Sequence, residues 1–251
     1  MIRLFALLMT LALPAQAEDV VAALSQNRVG ITASFNGSEI LVFGAIKHEK
    51  PENETRPLDV IVTVSGPSQP VTVRRKEKVA GIWVNTDAVE VDAAPSFYAV
   101  ASSLPIDVAL NDVDDLRHHI TIERAIRSVG APQDIQDAES FTEALIRIRR
   151  ANGLYQEVAG GVTIYEGALF RSNIALPANL VEGVYETHIY LTFNGEVVGD
   201  YRTFIDVRKV GIERWIYNLA HERPLIYGLL SLFIAIVAGW SASAVFRYIR
   251  T

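Results

Sequence analysis

From Leu225 to Phe246 the chain runs for 22 residues without a charged side chain. At about 1.5 Å per residue a helix of that length reaches roughly 33 Å, enough to cross the hydrocarbon core of a bilayer. Lipid offers no partner to backbone N–H and C=O groups, so a segment that crosses must satisfy them within itself, and a helix does. The alternative, a buried helix in a soluble core, needs no such length. Arg214, Trp215, Tyr217, Arg223 and Tyr227 edge the run on one side, and Arg247, Tyr248 and Arg250 on the other. Aromatic and basic residues at both edges suit a span between two headgroup layers.

A second apolar run, Leu4–Leu13, is too short to span. Arg3 precedes it, Pro14 breaks it, and Ala15-Gln16-Ala17 has the small-residue spacing of a cleavage site. Residues 1–17 therefore read as a secretion signal, with a mature chain beginning at Glu18. The charge count around the later span is ambiguous. Arg208, Lys209, Arg214 and Arg223 put more positive charge before it than after it, which alone favours the opposite orientation. The signal decides, because long domains translocate largely regardless of charge. What lies between the two apolar runs is expected to be an exported domain on a single-helix anchor.

That domain has no cysteine. Disulfides, thiolate chemistry and cysteine metal sites are excluded together, so ordinary cores must hold it. Glu18–Glu213 carries 18 basic and 28 acidic side chains, a formal −10. That balance argues against nucleic-acid binding, which needs a basic footprint. The same balance argues against the whole domain lying flat on anionic lipid.

Residues 28–104 read as strands. Arg28–Phe35 runs into Asn36-Gly37, a hairpin signal. Ile40–Ile46 and Asp59–Val64 are continuous apolar runs, as strands buried on both faces would be. Lys47–Pro57 is a polar loop. Val71–Arg75, Gly81–Asn85 and Ser96–Ala101 complete about six strands with Gly/Pro punctuation, which suggests a sandwich. Asp107–Ser128 reads as one charged helix. Ser140-Phe141-Thr142-Glu143 has capping-box spacing, and Phe141, Ala144, Leu145 and Ile148 follow at helical intervals until Asn152-Gly153. Strands return at Val162–Tyr165 and Phe170–Leu176. In Val184–Phe193 the side chains of Tyr185, Thr187, Ile189, Leu191 and Phe193 share one face, and Asn194-Gly195 turns the chain into Val197–Val207. Leu180-x-x-Gly183-x-Tyr185 has the spacing of a tyrosine corner, which makes Tyr185 a structural candidate.

The expected architecture is thus mainly β: immunoglobulin-like sandwich unit(s) with a two-helix segment, plus one C-terminal transmembrane helix. Its parts are a signal peptide at 1–17, a β-sandwich at 18–105 and a helical segment at 106–157. A second β-unit follows at 158–213, either separate or completing the first. Residues 214–251 hold a juxtamembrane segment, the membrane helix and a short tail.

Chemistry-bearing residues are sparse. His118-His119 is the one histidine pair. Neighbours on a helix point about 100° apart, not onto one face as an i, i+4 metal pair would, although Asp115 and Glu123 flank His119 at helical spacing. His48, His188 and His221 stand alone. Asn111–Asp115 resembles the start of a calcium loop but has Leu116 where the glycine belongs, so an acid-rich helix start explains it better. No Gly-x-Ser-x-Gly elbow or phosphate-cradling glycine loop occurs. Asn53-Glu54-Thr55 fits the glycosylation tripeptide. Arg74, Arg75, Lys76 and Lys78 form the one basic cluster, suited to phosphate headgroups, to an acidic partner or simply to a solvated turn. The residues call for no catalytic site, metal or cofactor. In the membrane run, Ala235, Gly239 and Ser243 stand at i, i+4, i+8 with Ala238 and Ala242 beside them. Such a ridge of small residues lets another helix approach closely.

The phrases SFNG (34–37), VFGA (42–45), VSGP (64–67), GIWVN (81–85), PSFYAVASS (95–103) and EGVYET (182–187) resemble a family of single-span membrane proteins of unknown function found in alphaproteobacteria. So does GIERWIYNLAHERPLIYG (211–228) with Gly239-Trp240. The resemblance covers the mature chain nearly end to end and brings no catalytic motif. It implies an inner-membrane anchor with a periplasmic domain, and the export signal followed by a stop-transfer span independently puts Arg247–Thr251 in the cytoplasm. Members of such families often accompany small-anion exporter permeases, which makes a transporter the implied membrane partner. The function expected is a non-enzymatic accessory protein that binds a membrane partner or an envelope component. A solute- or metal-binding sensor and a hydrolase with an unrecognised site are the alternatives.

Overall fold

The computed structural model describes residues 19–32, 35–47, 58–128 and 137–249. The signal segment, His48, the Asn53 tripeptide and the last two residues lie outside them. The chain divides into two compact units, Met1–Arg28 with Asn36–Asp206 and Val29–Phe35 with Val207–Thr251.

The described strands are β1 (Asp19–Leu24), β2 (Arg28–Ile31), β3 (Ser38–Lys47), β4 (Asp59–Ser65), β5 (Ser68–Val79), β6 (Ile82–Pro95), β7 (Tyr98–Ser102), β8 (Tyr155–Ala159), β9 (Val162–Tyr165), β10 (Leu169–Leu176), β11 (Gly183–Phe193) and β12 (Glu196–Lys209). The helices are α1 (Ile106–Ala109), α2 (Asp112–His118), α3 (Ile122–Ala125), α4 (Ala138–Ala151), α5 (Ile212–Glu222) and α6 (Pro224–Ile249). The protein is mainly β, with one long apolar helix at its C-terminal end.

Four strands form one sheet in the order β1-β3-β10-β9, and six form another in the order β2-β12-β11-β4-β7-β8. The ribbon β5–β6 is a two-stranded sheet of its own. The strands after residue 158 make no separate sheets. β10 pairs with β3, and β11 pairs with β4, so the strands of the second β-unit complete the sheets of the first, one of the two arrangements the sequence allows. β11 carries the alternation its sequence predicts as far as Ile189: Tyr185, Thr187, Ile189 and Leu191 are fully buried on one face, but Tyr190 and Thr192 on the other are buried as well, and Phe193, expected on the buried face, is only half-buried. β4 and β7 are buried at every interior position, because β9 and β10 of the small sheet and helices α1 and α3 all pack against them. Each fully buried Val or Ile there contributes about 1.5–3 kcal/mol relative to exposure.

Several expectations need correction. The Ile40–Ile46 run is buried on one face only, through Ile40, Val42 and Ile46, while Phe43 is exposed. Its other special feature is Gly44, where a Cβ would lie 2.7 Å from the Phe170 ring and 2.6 Å from the Val21 carbonyl oxygen. Asn36-Gly37 is not a hairpin turn. It carries the chain from β2, in the six-stranded sheet, to β3, in the four-stranded one. Asn194-Gly195 is a hairpin turn, with φ of 50° and 84°, the paired positive values of a type I′ turn.

Asp107–Ser128 is three short helices rather than one. Asn111 caps α2 by accepting from the Asp114 amide at 2.8 Å. His119 then stops it in the left-handed region at φ 54°. The Asp115 carboxylate accepts from the Ile120 and Thr121 amides and from the Thr121 hydroxyl, which fixes the break before α3. Nor does Ser140 cap α4. The helix starts two residues earlier, and the Ser140 hydroxyl donates to the Asp137 carbonyl at 2.8 Å. The buried stripe of α4 is Phe141, Leu145 and Ile146, with Ile148 exposed.

Candidate functional site

The ribbon β5–β6 departs most from the sequence reading. Val71–Arg75 and Gly81–Asn85 look like short strands, yet all but Gly81 belong to strands of 12 and 14 residues that pair from base to turn with two register shifts, at Gln69/Val71 and Arg75/Lys76. Ala80 and Gly81 turn the ribbon with positive φ, 49° and 89°. Only its base is covered. There Arg75 donates to the Asp137 carboxylate at 2.5 Å and to the Ser140 hydroxyl at 2.8 Å, and its guanidinium lies 4.5 Å from the centre of the Phe141 ring. Asp87, its cross-strand neighbour, is 3.7 Å away. The hydrogen bond from Arg75 holds the Asp137 carboxyl below the usual carboxylate range. Between ribbon and helix lies a cleft of about 440 Å³, rimmed by Arg74, Lys76, Glu143 and Arg147. The four-residue basic cluster is therefore not a turn. Arg75 is tied to α4, while Arg74 and Lys76, at the rim of the cleft, and Lys78, beyond it, are exposed.

The other sequence candidates serve structure. Asp114 and Asp115 are buried carboxylates that hold backbone: Asp114 accepts from Val197 at 3.1 Å and from Arg117 at 2.8 Å. His118 meets Tyr190 edge-on, and no set of three His, Asp or Glu side chains converges on a metal position among the described residues. The Tyr185 hydroxyl donates to the Val181 carbonyl at 2.8 Å, a bond back to the chain four residues upstream. His188 is not solitary. Its ring nitrogens lie 2.7 Å from the Tyr190 hydroxyl and 2.7 Å from Glu186, residues two apart on the same face of β11, a spacing that the sequence does offer. Burial pushes the Tyr190 hydroxyl up to about 12. His221 stacks on Tyr217 in α5.

In α6 the 20-residue stretch Pro224–Ser243 is long and apolar enough to cross a membrane, and none of it is buried within the chain. Ala235, Gly239 and Ser243 are exposed, and a Cβ built on Gly239 meets nothing within 4 Å.

Residues 19–248 match the model of a family described as "Putative transmembrane protein (Alph_Pro_TM)". The chain belongs to this family. No curated protein matches it. Among solved structures, Spo0M, a sporulation control protein from Bacillus subtilis, is similar over 81% of this chain and 56% of that one, with 11% identity and a TM-score of 0.30. The chain thus spans little more than half the length of that protein, and a score so low does not establish a shared fold. The family's description as transmembrane is consistent with the exposed apolar α6 as a single membrane span.

Proposed function

We propose that the protein is a non-enzymatic accessory protein of a bacterial inner membrane, exported by its N-terminal signal, with its β-rich domain in the periplasm and α6 as its single anchor. Its task is to bind another membrane protein, in the first instance a transporter. One observation carries the reading. Over Pro224–Ser243 α6 is apolar and none of it is buried within the chain, and along it stand the small residues Ala235, Gly239 and Ser243, with open space in front of Gly239. Between helices in lipid the main attraction is close packing, which a groove of small residues permits.

The strand order supports an immunoglobulin-type reading of the domain, an architecture shared by many cell-surface modules. β1-β3-β10-β9 follows the order A-B-E-D, β12-β11-β4 follows G-F-C, and Tyr185 begins the strand that stands at F. Fold alone does not assign function, so the test addresses the helix. Gly239→Leu fills the groove and leaves α6 at least as apolar. Crosslinking in native membranes followed by mass spectrometry should recover a membrane protein with the wild type. With Gly239→Leu the protein should stay in the membrane and lose that partner. Unchanged association would show the groove to be incidental.

A further inference from the structure

Past the Arg75–Asp87 pair, residues 76–86 of the β5–β6 ribbon are exposed without interruption. At about 3.3 Å per residue the strands are roughly 40 Å long, and only their base is held by α4. The free end is apolar. Val79, Ile82, Trp83 and Val84 are exposed there, Ile82 at 67% and Trp83 at 69%. Water is a poor environment for four such side chains at the tip of a bare two-stranded ribbon, which is marginally stable by itself.

The pairing register sorts what surrounds them. Trp83 stands opposite Lys78, and residues opposite one another in an antiparallel pair share a face. Lys76 and Arg74 follow on that face at intervals of two. From the turn inward, the ribbon presents Val79 and Ile82, then Trp83 beside Lys78, then Val84 beside Glu77 on the opposite face, then Lys76 and Arg74 on the face of Lys78. The basic residues begin one step behind the apolar tip, and Lys76 lies about 7–10 Å from it. This is the depth profile of a bilayer interface: aliphatic groups in the first few ångströms of acyl chain, tryptophan at the headgroups, cations at the phosphates.

We infer that the β5–β6 tip is a second membrane contact, docking on the anionic lipid surface of the bilayer that α6 crosses. Charge complementarity selects lipid. Residues 74–87 hold four cations against Glu77 and Asp87, within an exported segment whose formal charge is −10. Anionic lipid repels that segment as a whole and attracts this one place on it. The ribbon's inward-facing backbone groups pair across its two strands, and the outward-facing ones stay solvated at the hydrated headgroup level, so the contact is shallow. Covalent linkage to α6 keeps the bilayer at high effective concentration, so weak attraction suffices.

The inference rests on α6 being a membrane anchor, and the test separates the two. The full-length protein with Trp215→Phe and Trp240→Phe retains Trp83 as its one tryptophan. It is reconstituted into phosphatidylcholine vesicles with and without phosphatidylglycerol, with brominated acyl chains as quencher. Flotation with the vesicles reports α6. With phosphatidylglycerol, Trp83 emission should shift to the blue and be quenched by bromine. Adding Lys76→Glu and Lys78→Glu, or raising the salt, should abolish both effects while circular dichroism stays unchanged. Because the chain lacks cysteine, a fluorophore on Ile82→Cys gives a second reading that tolerates a poorly folding tryptophan variant, with Glu90→Cys as the control at the ribbon base. Protein that floats while Trp83 and residue 82 report water overturns the inference and leaves the anchor standing. A blue shift that bromine does not quench, and that grows with protein density, also overturns it and assigns the tip to a second copy of the chain. Failure to float overturns the anchor itself.

Discussion

Tyr185 shows how far one residue can be read from sequence. Its spacing from Leu180 and Gly183 suggests a hydroxyl reaching back to the chain, and the structure shows that hydroxyl 2.8 Å from the Val181 carbonyl beneath a fully buried ring. Tyr185→Phe keeps the ring and removes the bond, so it should cost about 1 kcal/mol, seen as a lower denaturation midpoint with unchanged cooperativity. An unmoved midpoint would assign the residue's role to its ring alone. Other buried hydroxyls were not legible, because their partners are distant in sequence. The Tyr155 hydroxyl donates to the Pro95 carbonyl, and the Tyr98 hydroxyl donates to the Ile120 carbonyl. Burial raises Tyr98, and it pushes Tyr155 and Tyr190 each to about 12 against an ordinary value near 10. A raised folded-state value means that the neutral hydroxyl's contribution is complete below pH 10 and is lost as the pH rises toward 12. Stability should therefore fall across that window. Difference absorbance should show a class of tyrosines that ionises only as the domain unfolds, and all nine tyrosines titrating together near pH 10 would refute this.

At the scale of elements, what the sequence shows is what local periodicity can encode. The alternation in β11 and the unbroken apolar run of β4 are properties of consecutive residues, and both strands form where the pattern places them. The turn at Asn194-Gly195 needs only two positive φ values, and it too is local. Asn36-Gly37 carries the same dipeptide, but β2 finds its partner in β12, a long-range choice that no dipeptide encodes. The 107–128 segment fails as one helix for a related reason. Its charged periodicity is real, while the Asp115 carboxylate caps the loop amides that break it. Least legible was the attachment of ribbon to helix, since Arg75 and Asp137 are 62 residues apart. That attachment makes a prediction at this scale. Arg75→Ala and Asp137→Asn should each speed hydrogen exchange at the first amides of α4 and in the β5 base, with β4 and β11 unchanged. Because the Asp137 carboxyl is held below its usual range, the attachment should persist above that range and weaken as the pH falls through the lowered value. Equal exchange in wild type and both variants would make the pair a bystander.

For the whole molecule, the question is which side of the bilayer the β-rich domain occupies, and two signals in the chain oppose each other. Arg208, Lys209, Arg214 and Arg223 precede the apolar stretch, against Arg247 and Arg250 after it. A rule counting nearby basic residues would hold the domain in the cytoplasm. The 1–17 segment, with Arg3, an apolar run and Ala-Gln-Ala, reads instead as an export signal, which commits the chain before α6 is made. A long acidic domain translocates with little regard to local basic residues, so the first signal should prevail. The absence of cysteine fits either side and decides nothing. Alkaline phosphatase fused after Val207, active only where it can form its disulfides, should therefore be active. A fluorescent protein that matures only in the cytoplasm should be bright when fused after Thr251. The opposite pair of results would mean that the basic residues before α6 override the N-terminal signal. It would also move the ribbon tip and any partner of the domain to the cytoplasmic face, where anionic lipid is equally available but the partners differ.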